Sequence, residues 1–499
     1  MTATPSIEPM RQRPSVPPIV LGIIAFGAVA VGLSVAASPL FGVAAAAIAL
    51  GGVILLLRPE YAAATVAFLL WANVPVVAMR SHGVPKTLAS AYLGLLLLPV
   101  ARRLLIERRA FHWSKALPWA LAYLAFGFLS TAFSRDPQLA FENVKELCLE
   151  GVLVFFLATI AVQSRESLRR VTWALMAAGA FMGSIALIQQ LTGRFDSDFG
   201  GFSMIDSGFT TEGESGKVSQ PRLAGPIGEK NRFGQMMTVL IALGVGLARS
   251  ETRRSLARLA YVATALSAAG AALTFSRGNA VGTALLLGIM AMMGVLSGRQ
   301  LRGLLAAGAI LLLLLPQYRA RLATIPTVFS LASADPAAPE PDGAILGRAT
   351  EVIAAVLVYI DHPLLGVGPG LFTTYSQEYG NRLSLRRLES GRQAHTLFPH
   401  VAAEGGTLGL FSFVGLLVVV MVRLYRRVST GETRRDQELA RAYFLALAAY
   451  LLCGLFLHMA FIRYFWFLVG LASAAGTVGA EKREEDLMIA AKENGGGAG

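Results

Sequence analysis

The chain has 499 residues, 55% of them hydrophobic and 15% charged, with a formal net charge of +13 and two cysteines. Apolar content sustained from end to end excludes a soluble globular domain and means a polytopic membrane protein. Cys148 and Cys453 both fall in or beside apolar runs, so no disulfide framework is implied. The basic surplus sits in short gaps between those runs, where membrane topology demands it, and this argues against nucleic-acid binding.

The chain opens with MTATPSIEPMRQRPSVPP, whose Arg11 and Arg13 imitate the basic start of a signal peptide. The apolar run that follows is as long as a spanning helix, and another comes at once, so an uncleaved first span is expected. A helix needs about 20 apolar residues to cross about 30 Å of hydrocarbon. Spans are predicted near 19–36, 39–57, 61–79, 87–101, 116–133, 146–163 and 171–191. More follow near 235–249, 256–274, 279–297, 303–316, 401–422, 440–459 and 464–480.

Charge orders these spans. Arg102, Arg103, Arg108 and Arg109 crowd one gap, Arg249, Arg253, Arg254 and Arg258 another, and Arg423, Arg426, Arg427, Arg434 and Arg435 a third. The intervening short gaps carry little beyond Arg80, Lys86, Arg135, Lys145, Arg277 and Arg463. Positive residues mark the cytoplasmic side, so both termini are predicted cytoplasmic. The expected fold is all-α: a transmembrane helical bundle of about 12–14 spans with a large, partly helical periplasmic loop. Its parts are a cytoplasmic tail at 1–18, helices over 19–191 and a first long periplasmic loop at 192–234. Helices over 235–316, a second long loop at 317–400, helices over 401–480 and a disordered Gly-rich tail at 481–499 complete it.

Candidate chemistry gathers on the predicted periplasmic face. In the first long loop, RLAGPIGEKNRFGQ brings Arg222, Lys230 and Arg232, with Asn231 as the expected cap of the helix that follows. A D-x-D at Asp196–Asp198 is a possible metal motif, though three letters in a polar loop carry little. In TFSRGNAVG, almost no loop separates two helices, which pins Arg277 at the membrane boundary, on the side where positive-inside statistics disfavour arginine. In GRATEVIAAVLVYIDHPLLGVGPG, an amphipathic interfacial helix is predicted, with Val352, Val356 and Tyr359 on one side and Arg348 and Glu351 near its start. Pro363, Gly366, Gly368 and Gly370 then force a turn. AHTLFPHVAAEGG brings His395 and His400, five apart, which is not the spacing of a helical metal pair. Tyr375 and Arg392 of the same loop are further candidate substrate contacts, as are Arg222, Asn231 and His400. No metal ligand set and no cofactor are expected. Guanidinium groups held in place bind a pyrophosphate bidentately and stabilise its departure, and an imidazole accepts a proton near neutral pH.

These motifs together resemble the O-antigen ligase and O-antigen polymerase family. SRG at a helix end, GR followed by HPLLGVGPG-x-F, HT running into a span with G-x-x-G, and N-R-F-G-Q opening a helix all match, over roughly 220–422. The resemblance implies a GT-C-like glycosyltransferase of the bacterial inner membrane with its active site in the periplasm. It would pass a glycan from undecaprenyl pyrophosphate to a hydroxyl acceptor, inverting the anomeric carbon without metal. By the same resemblance Arg277 and Arg348 hold the pyrophosphate and His395 is the base. Thr396 stands where the family has Asn, Ser or Gln. A polymerase would use a glycan acceptor and a ligase a lipid core, with a flippase and a chain-length regulator as partners. The competing class is a flippase or transporter of lipid-linked oligosaccharide, for which related halves and mid-membrane charges are expected.

Overall fold

The computed structural model describes residues 50–108, 111, 113–213, 216–314, 316–323, 325, 343–383, 393–457 and 463–478. The predicted span at 19–36, most of that at 39–57, both tails, the middle of the second long loop and Arg392 lie outside the described residues. The chain divides at residue 62. The first part carries a helix over Leu50–Leu57 and a 3-10 turn at Pro59–Tyr61.

In the second part the described apolar runs are helical. The predicted span at 61–79 is broken in two, α1 (Ala62–Trp71) and α2 (Val74–His82), at Asn73, which adopts the left-handed conformation with φ 55°. The Asn73 side chain explains the break. Its Nδ2 donates to Pro226 O at 2.9 Å, and its Oδ1 accepts from Tyr464 Oη at 2.7 Å. Short helical turns follow over 86–106. Then come α3 (Leu117–Ala132) and α4 (Pro137–Glu146), which passes through a π-helical turn at Leu147–Val152 into α5 (Leu153–Ala161). Next is α6 (Arg165–Thr192). A strand pair, β1 (Met204–Gly213) and β2 (Gly216–Gly225), precedes α7 (Lys230–Ser250), α8 (Arg254–Ala272), α9 (Arg277–Met292) and α10 (Gly298–Leu314). Last are α11 (Gly343–Asp361), α12 (Phe372–Asn381), α13 (Leu397–Thr430), α14 (Arg434–Gly454) and α15 (Arg463–Thr477).

Among the described residues α6, α7 and α13 are each long and apolar enough to cross a membrane unaided. The centre of the bundle is α7, buried on all sides and packed against α8 and α14. Small residues make that approach possible. A Cβ on Gly246 would lie 2.3 Å from Ala442 Cβ, and one on Gly244 would lie 2.0 Å from Thr264 Oγ1. Close backbone approach through small residues is how helices associate in lipid, where apolar burial drives nothing.

The antiparallel β1–β2 hairpin is not part of the all-helical expectation. It pairs Met204 with Gly225 and Gly213 with Gly216, with an irregularity between Asp206 and Phe209. Leu223 N donates to Leu273 O at 3.2 Å, which fastens β2 to the turn between α8 and α9.

Helix α13 breaks at Gly406, where φ is +61°. The break strands backbone groups that a buried chain must pair. The HPLLGVGPG segment pairs them: Val367 N donates to Ala403 O and Gly368 N to Glu404 O, while Thr407 N donates to Pro363 O. No side chain fits at the crossing, since a Cβ on Gly406 would meet Leu364 C at 2.3 Å. Ser130 Oγ of α3 donates to Leu365 O at 2.6 Å from the other side. The turn that the prolines and glycines of 363–370 predict is therefore present, and it is docked into a helix break.

Candidate active site

Helix α11 does not lie with its large apolar face on the protein. It buries Gly347, Thr350, Glu351, Ala354, Ala355 and Val358, and exposes Ile353, Val356 and Ile360. The helix is amphipathic, with its larger apolar side chains on the outward face. The small and polar face meets neighbouring elements. This turn of the helix carries Glu351 inward.

Glu351 is 1% exposed. Its Oε2 lies 2.7 Å from His395 Nδ1, across 44 residues of chain. His395 also contacts Gln393 O through Nδ1 at 3.0 Å and holds a left-handed φ of 42°. A non-glycine residue there is uncommon, and such strain persists where the surroundings over-determine the conformation. With Nδ1 engaged by a carboxylate and a carbonyl, both acceptors, the proton belongs on Nδ1 and the lone pair on Nε2. The imidazole is only partly buried. Arg348 lies three residues before Glu351 on the same helix.

Arg277 is the first residue of α9, whose cap is Ser276, with its Oγ accepting from Asn279 N at 3.3 Å. Ser276 Oγ also donates to Asn231 Oδ1 at 2.7 Å, joining the starts of α7 and α9. Asn231 is not the cap of α7. Glu229 is, accepting from Asn231 N at 2.9 Å and Arg232 N at 2.7 Å, so the predicted cap sits in the first turn and points to Ser276. Asn231, Ser276, Gly278, Asn279 and Arg348 line a narrow cavity of about 10 Å³ closed by Cys453 and Phe456. That is room for about one water.

Arg222, on β2, completes the basic group. Burial lowers its guanidinium pKa below the ordinary value, Asp206 offsets part of this, and the like charges of Arg277 and Arg348 lower it further. Three guanidiniums from β2, α9 and α11 thus share one electrostatic neighbourhood. They stand beside the starts of α7 and α9, whose dipoles favour negative charge. Of the other two cations in this stretch, Lys230 is held by Asp206 at 2.6 Å and Arg232 lies 4.0 Å from Glu229.

The remaining candidates go elsewhere. His400 is 2% exposed and its Nε2 is 3.1 Å from Glu404 Oε1, which also accepts from Phe372 N. It clamps the docked loop instead of lining the cavity. Tyr375 is 4% exposed in the small core between α11 and α12, with Arg135 over its ring at 4.6 Å. Asp198 turns its own loop, its Oδ1 accepting from Gly200 N at 3.0 Å, and the described residues hold no cluster of metal-binding side chains. Sequence reasoning placed Glu351 only near Arg348. Its partner His395 lies too far along the chain for local spacing to reveal.

The fold and site define a polytopic α-helical membrane protein with a basic cluster and a carboxylate–histidine pair where several helices begin. Residues 262–414 match the protein-family model described as Wzy_C, O-Antigen ligase, a segment that contains Arg277, Arg348, Glu351 and His395. The likeness to the O-antigen ligase and polymerase family covers that segment, and it supports a membrane function of O-antigen ligase or polymerase type. No curated protein matches the chain.

Proposed function

We propose that the protein is an inverting glycosyltransferase of the bacterial inner membrane. It takes a glycan from an undecaprenyl-pyrophosphate carrier and transfers it to a hydroxyl acceptor at the periplasmic face. The observation that carries this reading is the contact of His395 with Glu351, which lies one turn along the same helix from Arg348, and Arg348 shares the electrostatic neighbourhood of Arg277 and Arg222.

In this reaction His395 Nε2 takes the acceptor hydroxyl proton as the acceptor oxygen bonds to the anomeric carbon. The bond from that carbon to the pyrophosphate oxygen breaks on the opposite side, and its electron pair leaves with the carrier. Arg277, Arg348 and Arg222 face the charge that develops on the departing diphosphate, and they supply counter-charge of the kind other enzymes draw from a divalent ion. Glu351 holds the imidazole and balances the positive charge it gains. The family's two jobs share this chemistry and differ in acceptor: a growing glycan for a polymerase, a lipid core for a ligase. A flippase and a chain-length regulator fit as partners.

The test is purified protein with a lipid-linked glycan donor. Arg277→Ala, Arg348→Ala and His395→Ala are expected to abolish transfer while the protein still folds and inserts. Full turnover in any of the three would remove that residue from the mechanism, and full turnover in all three would end this reading.

A further inference from the structure

At the other ends of the same helices a second cavity opens, of about 900 Å³, with Arg165, Arg249, Arg434, Arg435, Glu251 and Tyr261 among its lining residues. Helix α7 begins beside Ser276 and ends at this cavity with Ser250, so the two lie about 31 Å apart at 1.5 Å per residue.

The acids around the cavity are already neutralised. Glu251 accepts from Arg169 Nε at 2.7 Å and Nη2 at 3.1 Å, and from Trp173 Nε1 at 2.9 Å. Glu438 takes both branches of Arg249, at 2.9 and 3.0 Å, and Asp436 is 3.1 Å from Arg165. What remains is positive. Arg434 is exposed and makes no ion pair among the described residues, and Arg435, which donates to Ser250 O at 3.4 Å, shares Glu251 with the closer Arg169. Both stand in the first turn of α14, where the helix dipole adds to their charge.

The depth of the cavity says what would fill it. Two of the helices apolar enough to span, α6 and α7, terminate in its wall, at Arg165 and Ser250. It therefore sits where hydrocarbon gives way to headgroups. On α8, Leu259 (54% exposed), Tyr261 (40%) and Val262 (55%) form an apolar strip leading away from it. We propose that this cavity binds the headgroup of an anionic glycerophospholipid, its phosphodiester on Arg434 and Arg435 and its acyl chains along the Leu259–Val262 strip. Basic pockets between helices at a membrane surface take such headgroups. The proposal is independent of the transfer reaction.

The experiment is native mass spectrometry of the full chain in detergent, titrated with phosphatidylglycerol, phosphatidylcholine or inorganic phosphate. Phosphatidylglycerol is expected to be retained in preference to phosphatidylcholine. A protein carrying both Arg434→Gln and Arg435→Gln is expected to retain it about thirty-fold less, at about five-fold per charge. Arg299→Gln with Arg302→Gln removes equal charge outside the cavity and is expected to leave retention unchanged. If the glutamine pair at 434 and 435 lowers thermal stability, Arg434→Gln by itself carries the test, with a five-fold loss expected. Equal retention of the two lipids, unchanged retention in the cavity variant, or equal loss in the control pair would overturn the proposal. So would displacement of the lipid by millimolar phosphate, which would make this a site for a soluble anion.

Discussion

Glu351→Gln isolates the step in which His395 is held and charged. The exchange keeps size and shape, so the buried face of α11 stays packed. It removes the negative charge 2.7 Å from His395 Nδ1. A hydrogen bond to a charged group contributes about 1.5–3 kcal/mol, and here that contribution grows as the imidazole becomes imidazolium. At about 1.4 kcal/mol per factor of ten, kcat is expected to fall roughly 10- to 150-fold. The donor KM should change little, because Glu351 faces the histidine and not the carrier. Glu351→Asp keeps the charge on a shorter arm and should recover part of the loss. The assay is steady-state transfer from purified lipid-linked glycan, with thermal unfolding measured alongside. Wild-type kcat in Glu351→Gln, with His395→Ala inactive, would refute the positioning role while leaving the base in place. A loss of kcat that only tracks a loss of fold would refute it as well.

Arg348→Lys keeps a point charge but loses the bidentate fork, so turnover should fall while staying above that of Arg348→Ala, read in the same transfer assay. Gly406→Ala puts a Cβ 2.3 Å from Leu364 C at a positive φ; it should lower the melting temperature and the yield of monodisperse protein on size-exclusion chromatography, and an unchanged melting temperature would contradict the docked-loop description. Glu404→Leu leaves Phe372 N without its carboxylate, a cost of about 1–3 kcal/mol for a buried donor, visible as earlier thermal unfolding. Transfer should survive EDTA; collapse with EDTA and recovery with Mg²⁺ or Mn²⁺ would return Asp196 and Asp198 to the mechanism.

Much of this was legible from spacing. Apolar runs marked where most of the described helices lie, because a helix that must satisfy its own backbone in lipid has few alternatives, but their ends differ by up to nine residues, as where α4 opens at Pro137 and α13 runs on to Thr430. The place of Arg277 at a helix start was legible because Ser276 and Gly278 leave no loop in which it can wander. The turn at 363–370 was legible from its prolines and glycines. The hairpin at 204–225 was not, since its stretch is polar and broken by Gly and Ser, and its strands are held by Leu273 from another element. The cap of α7 was misplaced by two residues, because Glu229 and Asn231 both carry a side-chain oxygen and only the backbone direction separates them. Periodicity found the amphipathic α11, but that Thr350, Glu351, Ala354 and Ala355 form its buried side depends on the elements packed against it.

Sequence by itself determined which segments are helical and which side chains carry charge and imidazole, because both are written within a few residues of one another. Tertiary structure decided the rest. Glu351 meets His395 across 44 residues, Arg222 comes from a hairpin to stand near Arg277 and Arg348, and His400 turns inward to Glu404. Such pairings depend on how helices rotate and where α13 breaks, and those are set by close packing between distant segments, which no local pattern records.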